Sequence, residues 1–368
     1  MSLLHRRGTT LLTILFLAVG TNAMGARLEI PGLTLESGFL VQPGPDASIL
    51  YAEPRAKPGD WVLSLRAGAI RVGGEALPRA EIRDTYYQIE GGALRGRVGF
   101  QSLSWGETFG FFIADLPNPR DWRDPLLLNV GFVKKPVFMG QLQWFGEASS
   151  AQAFVTPLTR HQDFLPGVET DIPGRRAFDS IGRDSEAGVR ASRLWDFGLD
   201  GSIFVISHLD RALVLDPGRV LSAGMTASQA VSDRWVVRTD QVWTGGAQGV
   251  DWRGVAGLDW SPEADLTVGT QIQHEPGLWG ASLRVARRNV ADRWDLEAFC
   301  FTGLGGPSGG GSAGEFWIQP KLTYNTADGI SVSLRYDWIE TPGSAPKNGF
   351  FQAVTDSDRV LLWVAFRY

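Results

Sequence analysis

From Trp61 to the C-terminus the chain repeats one unit. A stretch of ten to twelve residues alternates polar and apolar side chains at period two, as a strand does when its two faces meet different surroundings. The connections between stretches alternate too. One set is tight and made of hairpin-turn residues: Gly91-Gly92, Glu147-Ala148, Gly198-Leu199, Ser232-Asp233, Pro262-Glu263-Ala264, Ala291-Asp292 and Ala327-Asp328. The other set is long: 107–135, 158–185, 210–219, 304–314 and 341–358, with the shorter 244–251 and 274–278 falling on the same rim by parity. About sixteen antiparallel strands, within a range of 14–18, are predicted, with short turns at one rim and long loops at the other.

The two faces decide what surrounds the strands. In 329–340, Ser331, Ser333, Arg335 and Asp337 oppose Ile330, Val332, Leu334, Tyr336 and Trp338. In 315–325, Gln319, Lys321 and Thr323 oppose Phe316, Ile318, Leu322 and Tyr324, and in 293–300 Arg293, Asp295 and Glu297 oppose Trp294, Leu296 and Ala298. A soluble β-sandwich alternates as well. Here the apolar face is rich in aromatics near strand ends, and the strands match a tilted bilayer crossing in length. The fold expected is all-β, a transmembrane antiparallel β-barrel with its apolar face to lipid, short periplasmic turns and long outer loops.

Residues 1–26 read as a secretory signal: His5, Arg6 and Arg7 make a basic start, and Thr10 to Gly20 is an apolar run too short to span a bilayer. No later segment approaches ~18 consecutive apolar residues, which excludes a helical membrane protein. Removing Arg6 and Arg7 from 35 Lys+Arg leaves 33 against 40 Asp+Glu, a net charge of −7 that argues against a nucleic-acid partner. Lys57, Lys134, Lys135, Lys321 and Lys347 are the only lysines; the other 30 basic groups are Arg, which favours fixed, paired roles. The single Cys300 rules out an internal disulfide framework. Residues 27–59, broken by Pro43, Pro45, Pro54 and Pro58, are open between a periplasmic lead-in, a lumen segment and extra strands. Residues 60–368 are expected to form the barrel.

The stretch 93–128 stands apart. A strand with Arg95, Arg97 and Gln101 on one face gives way at Trp105-Gly106 to a segment too apolar for a surface turn, with Phe109, Phe111, Phe112, Ile113 and Leu116. Asn118-Pro119-Arg120-Asp121-Trp122-Arg123-Asp124-Pro125 follows. Irregular backbone cannot face lipid, so this loop, 107–135, is expected to fold inward against the barrel wall and narrow the lumen. Arg97-Val98-Gly99, Gln101, Trp105-Gly106, Asp115, Asn118-Pro119 and Asp121 together resemble a poorly characterised bacterial outer-membrane β-barrel family of porin or export type. Its strand reads RVGRQxxxWG and its loop DxxNPxD; Phe100 stands where that pattern carries Arg. The resemblance implies a barrel of export or uptake type and brings no catalytic residue. The last strand, 359–368, sets Leu362, Val364, Phe366 and Tyr368 on one face. It resembles the terminal strand by which barrel-assembly machinery recognises its clients, with Phe366 and Tyr368 as the signal and Tyr368 where Phe is commoner.

Candidate pore residues follow from inward parity and from the loop. They are Arg95, Arg97, Arg238, Arg284 and Arg335 on strands, with Asp115, Arg120, Asp121, Arg123 and Asp124 on the loop. The arginines form either a basic ladder guiding anions or pairs with Asp240, Asp295, Glu297 and Asp337 of neighbouring strands. On the loop, Arg120 and Arg123 are expected against lumen acids, and Asp121 and Asp124 against Arg95 or Arg97. Neither His161, His208 nor His274 has spacing that signals a catalytic constellation, and no metal-ligand cluster is seen, so neither enzyme chemistry nor a cofactor is expected. The glycine run 305–311 lacks the Lys-Ser/Thr of a phosphate loop. A lumen wide enough for water makes passage of small solutes the leading function. Its alternatives are a structural or adhesive barrel with a filled lumen and, behind it, a barrel enzyme. Expected partners are outer-membrane lipid and lipopolysaccharide, the assembly machinery and small solutes, not nucleic acid.

Overall fold

The computed structural model describes residues 34–41, 48–72, 75–109, 113–120, 134–160, 180–210, 218–246, 249–305, 314–327, 329–340 and 359–367. The signal segment 1–26 lies outside them. Nineteen strands are formed: β1 Thr34–Val41, β2 Ser48–Ala56, β3 Trp61–Val72, β4 Glu75–Ile82, β5 Thr85–Gly91, β6 Leu94–Gln101, β7 Val137–Phe145, β8 Ser149–Thr156, β9 Glu186–Leu194, β10 Leu199–Leu209, β11 Arg219–Ser232, β12 Trp235–Gly246, β13 Gly249–Glu263, β14 Leu266–Glu275, β15 Leu278–Val290, β16 Trp294–Gly305, β17 Phe316–Asn325, β18 Ile330–Glu340 and β19 Arg359–Arg367. A single helical turn, α1 (Ile181–Asp184), precedes β9.

Each strand pairs antiparallel with its sequence neighbour, and β19 returns to β1 from Thr34↔Arg367 to Val41↔Val360. The sheet therefore closes on itself and has no free edge. The chain is a transmembrane antiparallel β-barrel. β4 and β5 share one position beside β3: three residues, Arg83-Asp84-Thr85, stand opposite Leu63-Ser64 between the Leu65↔Ile82 and Val62↔Tyr86 pairs. This is a β-bulge, and nineteen strands fill eighteen positions. The sixteen strands expected from the rhythm all form. The two further positions are β1 and β2, and Pro54 does not stop β2. The β2–β3 ladder is interrupted at Glu53 and Pro54, where proline has no N–H to give.

The barrel is apolar outside and polar inside. On β18, Leu334 is 47% exposed and Ser333, one residue away, 2%. Exposed Ile203, Val205, Leu221, Val237 and Leu258 likewise alternate with buried inward residues on β10 to β13. Water does not select such an inverted pattern, whereas lipid outside the wall does.

Two aromatic girdles bound the apolar belt. Trp61–Tyr87, Trp195–Phe197, Trp235–Trp260 and Trp294–Tyr324 pair near the short-turn rim. Phe100–Phe138, Trp252–His274–Trp279 and Phe316–Trp338 gather near the other. Trp235 and Trp243 are eight residues apart on β12, as are Trp260 and Trp252 on β13. At ~3.3 Å per residue and ~40° tilt this spans about 20 Å, close to the ~25 Å apolar band of such barrels.

Candidate functional site: an inward strap across the lumen

The core of this protein lies inside the barrel. Leu103, Trp105 and Ala114 pack with inward Val137 and Met139 of β7, Phe154 of β8, Phe204 and Ile206 of β10, and Val242 of β12. Trp105 meets Phe154 edge-on at 5.5 Å and Phe204 at 5.1 Å, and its Nε1 donates to Gln152 Oε1 at 2.7 Å. Residues 102–109 and 113–120 thus form a strap held to the inner wall.

The strap's base is knotted by polar residues of the sequence motif. Asn118 Oδ1 accepts from Leu103 N (2.6 Å), and its Nδ2 donates to the carbonyls of Gln101 (3.0 Å) and Lys135 (2.9 Å). Asp115 accepts from Trp105 N (2.5 Å) and Gly106 N (3.1 Å) and is paired with Lys134. Gln101 Nε2 donates to Met139 O at 3.0 Å. Gly99 sits at φ +139°, where an added Cβ would stand 2.4 Å from Thr85 O. The motif therefore builds and seats the strap.

The tip reaches the far wall. Glu107 N and Thr108 N donate to the Asp240 carboxylate on β12. Phe109 meets Gln271 of β14, whose amide is oriented with N toward Phe109 O (2.5 Å) and O toward Phe109 N (2.9 Å). The Arg284 guanidinium of β15 lies 4.2 Å from the Phe109 ring centroid, and Phe299 of β16 lies 6.0 Å away. Of the eighteen positions, β15 is nine from β6, halfway round. Eight residues after Gln101 cover at most about 29 Å, and the inward side chains of Gln271 and Arg284 complete the contact.

Beside the strap the lumen carries charges in pairs: Arg66–Glu53 (2.7 Å), Arg238–Asp259 (2.8 Å), Arg284–Glu297 (2.7 Å), Lys321–Glu297 (3.6 Å) and Arg335–Asp337 (2.9 Å). Glu107 adds its own carboxylate between Arg190 (3.5 Å) and Arg238 (4.0 Å). Arg238 and Arg284 pair with acids of neighbouring strands, Glu297 as expected and Asp259 in place of Asp240, whereas Arg335 pairs with Asp337 two residues along its own strand. Asp240 instead grips the strap.

Among the described residues, Arg95 and Arg97 meet groups of the wall, while Asp121 and Asp124, their expected partners, are not among those residues. Arg95 pairs with Glu90 at 2.6 Å and lies over Phe145; Arg97 donates to Gln88 Oε1 at 2.7 Å and lies over Tyr86. Both partners are directly opposite in register, so the nearest cross-strand groups take the arginines first. Arg120 forms a backbone bridge with Lys134. Asp121, Arg123, Asp124 and Tyr368 lie outside the described residues, as does His161. The side chain of Phe366 is likewise not described, although its backbone pairs with Leu35 and Ile330.

Sequence reasoning missed Lys134, Glu107, Arg190 and the buried Arg83, whose Nη1 donates to Lys134 O at 3.1 Å. Inward parity on β9 marks Arg190; the others follow a bulge or an irregular segment, where parity gives no signal. His208 Nε2 lies 2.8 Å from Ser222 Oγ, its Nδ1 faces the Leu209 carbonyl, and the serine continues to Thr244 Oγ1 at 2.7 Å. This is a hydrogen-bond chain along the wall. Among the described residues no cluster of His, Cys, Asp or Glu could hold a metal ion.

A closed antiparallel barrel with a polar lumen crossed by an inward segment is a porin-like fold. Solved porin barrels share this fold. OccK5 (OpdH) of Pseudomonas aeruginosa superposes with a TM-score of 0.56 at 12% identity, covering 91% of this chain and 96% of its own. OpdL of the same organism gives 0.54 at 14%, covering 91% and 97%, and OccAB1 of Acinetobacter baumannii gives 0.56 at 10%, covering 92% and 95%. No family model and no curated protein matches the sequence.

Proposed function

We propose that the protein is an outer-membrane channel for passive or substrate-selective passage of small solutes, exported to the bacterial outer membrane, with the strap at its constriction. The observation that carries this reading is the strap itself, running from β6 to β12 and β14–β16 beside wall charges that keep partial exposure. A barrel filled for purely structural ends would bury those charges completely, at a cost that only full pairing offsets. The porin barrels it resembles are substrate-specific channels, which supports the same class here. Glu107, Arg190 and Arg238 stand at the narrow point and form its candidate filter. Charges of both signs meet there, so selectivity rests on geometry and hydrogen bonding as much as on net field.

The test is conductance of the purified protein in a planar bilayer, alone and with residues 109–124 deleted. Discrete channels are expected, with severalfold higher conductance and flatter ion selectivity on deletion. Unchanged conductance places the strap outside the path. Silence from both proteins returns the barrel to a structural role.

A further inference from the structure

We propose that Asp240 is a latch: its carboxylate positions the tip of the strap, and this grip, not the apolar packing at the strap's base, sets the width of the bore. The inference rests on the channel reading above.

Base and tip are held by different chemistry. The base is buried apolar surface with the Asn118 and Asp115 bonds. The tip is held first by one side chain. Asp240 is fully buried on β12 and accepts from Glu107 N (3.0 and 3.2 Å to its two oxygens), Thr108 N (3.2 Å) and Thr108 Oγ1 (2.5 Å). Two successive N–H groups and a hydroxyl make a small anion-binding concavity on the strap, and the wall supplies the anion. Among the described residues, all hydrogen bonds to this carboxylate come from the strap. A tip that swung away would exchange three donors already aligned on one carboxylate for lumen water, so the preassembled grip favours the closed position.

The fit is close. A Cβ at Gly106 would stand 2.9 Å from Asp240 Oδ2, which gives the Trp105-Gly106 pair its physical reason. The other ionic contact of the tip is looser. Glu107 stays partly exposed at 3.5 and 4.0 Å from its arginines, a geometry that contributes little. Beyond the latch, Phe109 makes a second wall contact.

Single-channel recording of purified full-length variants tests this. Asp240→Ala should raise open-channel conductance two-fold or more, or make it flicker between two levels. Asp240→Asn, which keeps one carbonyl acceptor, should lie between it and the wild type. Thr108→Val removes a donor from the strap and leaves the wall intact, so it should move conductance the same way by less. Thr239→Val, on the outward face of the same strand, should change nothing. Heat-modifiable migration reports barrel assembly in each case. Wild-type conductance in Asp240→Ala, alongside a larger pore in the 109–124 deletion, overturns the latch and leaves the channel standing. Wild-type conductance in both overturns the constriction as well. If Asp240→Ala fails to assemble, Thr108→Val decides: wild-type behaviour there overturns the latch.

Discussion

Leu334→Arg separates a wall in lipid from a sheet in water. Leu334 lies mid-strand on β18, with Leu322 and Leu362 opposite it on β17 and β19, and is 47% exposed. In a water-soluble sheet, arginine at so exposed a position shifts stability by no more than about 0.5 kcal/mol. On a lipid face near the midplane it costs on the order of 2–4 kcal/mol. At ~1.4 kcal/mol per tenfold, that is about a 30- to 700-fold change in the folding equilibrium. The inward comparison is Thr323→Arg rather than Ser333→Arg. Ser333 is 2% exposed and bonded to Thr323 Oγ1 at 2.8 Å, so arginine there would overpack the interior. Thr323 is opposite Asp295 in register, which can pair with the new guanidinium. Urea unfolding in lipid vesicles, followed by heat-modifiable migration, measures both variants. Leu334→Arg within 0.5 kcal/mol of the wild type (roughly) would refute the assignment of this face to lipid.

Deleting Phe366-Arg367-Tyr368 removes the last pairs of the β1–β19 seam as well as the terminal aromatic, and the folded form should vanish from the membrane fraction on heat-shift gels. Trp105→Ala should cost the strap about 3–5 kcal/mol of packing while the wall persists, read as higher or noisier conductance at normal assembly. Gly99→Ala meets Thr85 O and a positive φ together; a loss of roughly 1–3 kcal/mol should appear as a lower urea midpoint.

The wall was legible because its information is local. Period-two alternation and turn residues mark fifteen strands from β5 to β19 on short windows, and Ala291-Asp292 does adopt the left-handed conformation that a tight turn requires (φ 50° and 62°). Prolines obscured β2 and β4, where the rule is weakest, but not β17. Pro54, Pro78 and Pro320 all sit within strands. In two of these strands the ladder gives way on one side only, at Glu53-Pro54 towards β3 and at Gln319-Pro320 towards β18. A missing N–H costs one bond there, not the strand.

The strap was legible only in part, for a different reason. The expectation that 107–128 is buried followed from its apolar residues and from the rule that irregular backbone cannot face lipid, and 113–120 are indeed buried or half-buried. Where it would dock depends on pairs such as Thr108 and Asp240, 132 residues apart, which no window of the sequence contains. Charge alone pointed to Arg95 and Arg97, and each has a partner directly opposite on β5. Charged side chains in a barrel wall are claimed first by their register neighbours, because the sheet places these within hydrogen-bond reach before a loop arrives. A loop can compete only by bringing several donors to one acceptor at once. The two N–H groups and hydroxyl of Glu107-Thr108 do this for Asp240, which is why an acid of the wall grips the described tip of the strap.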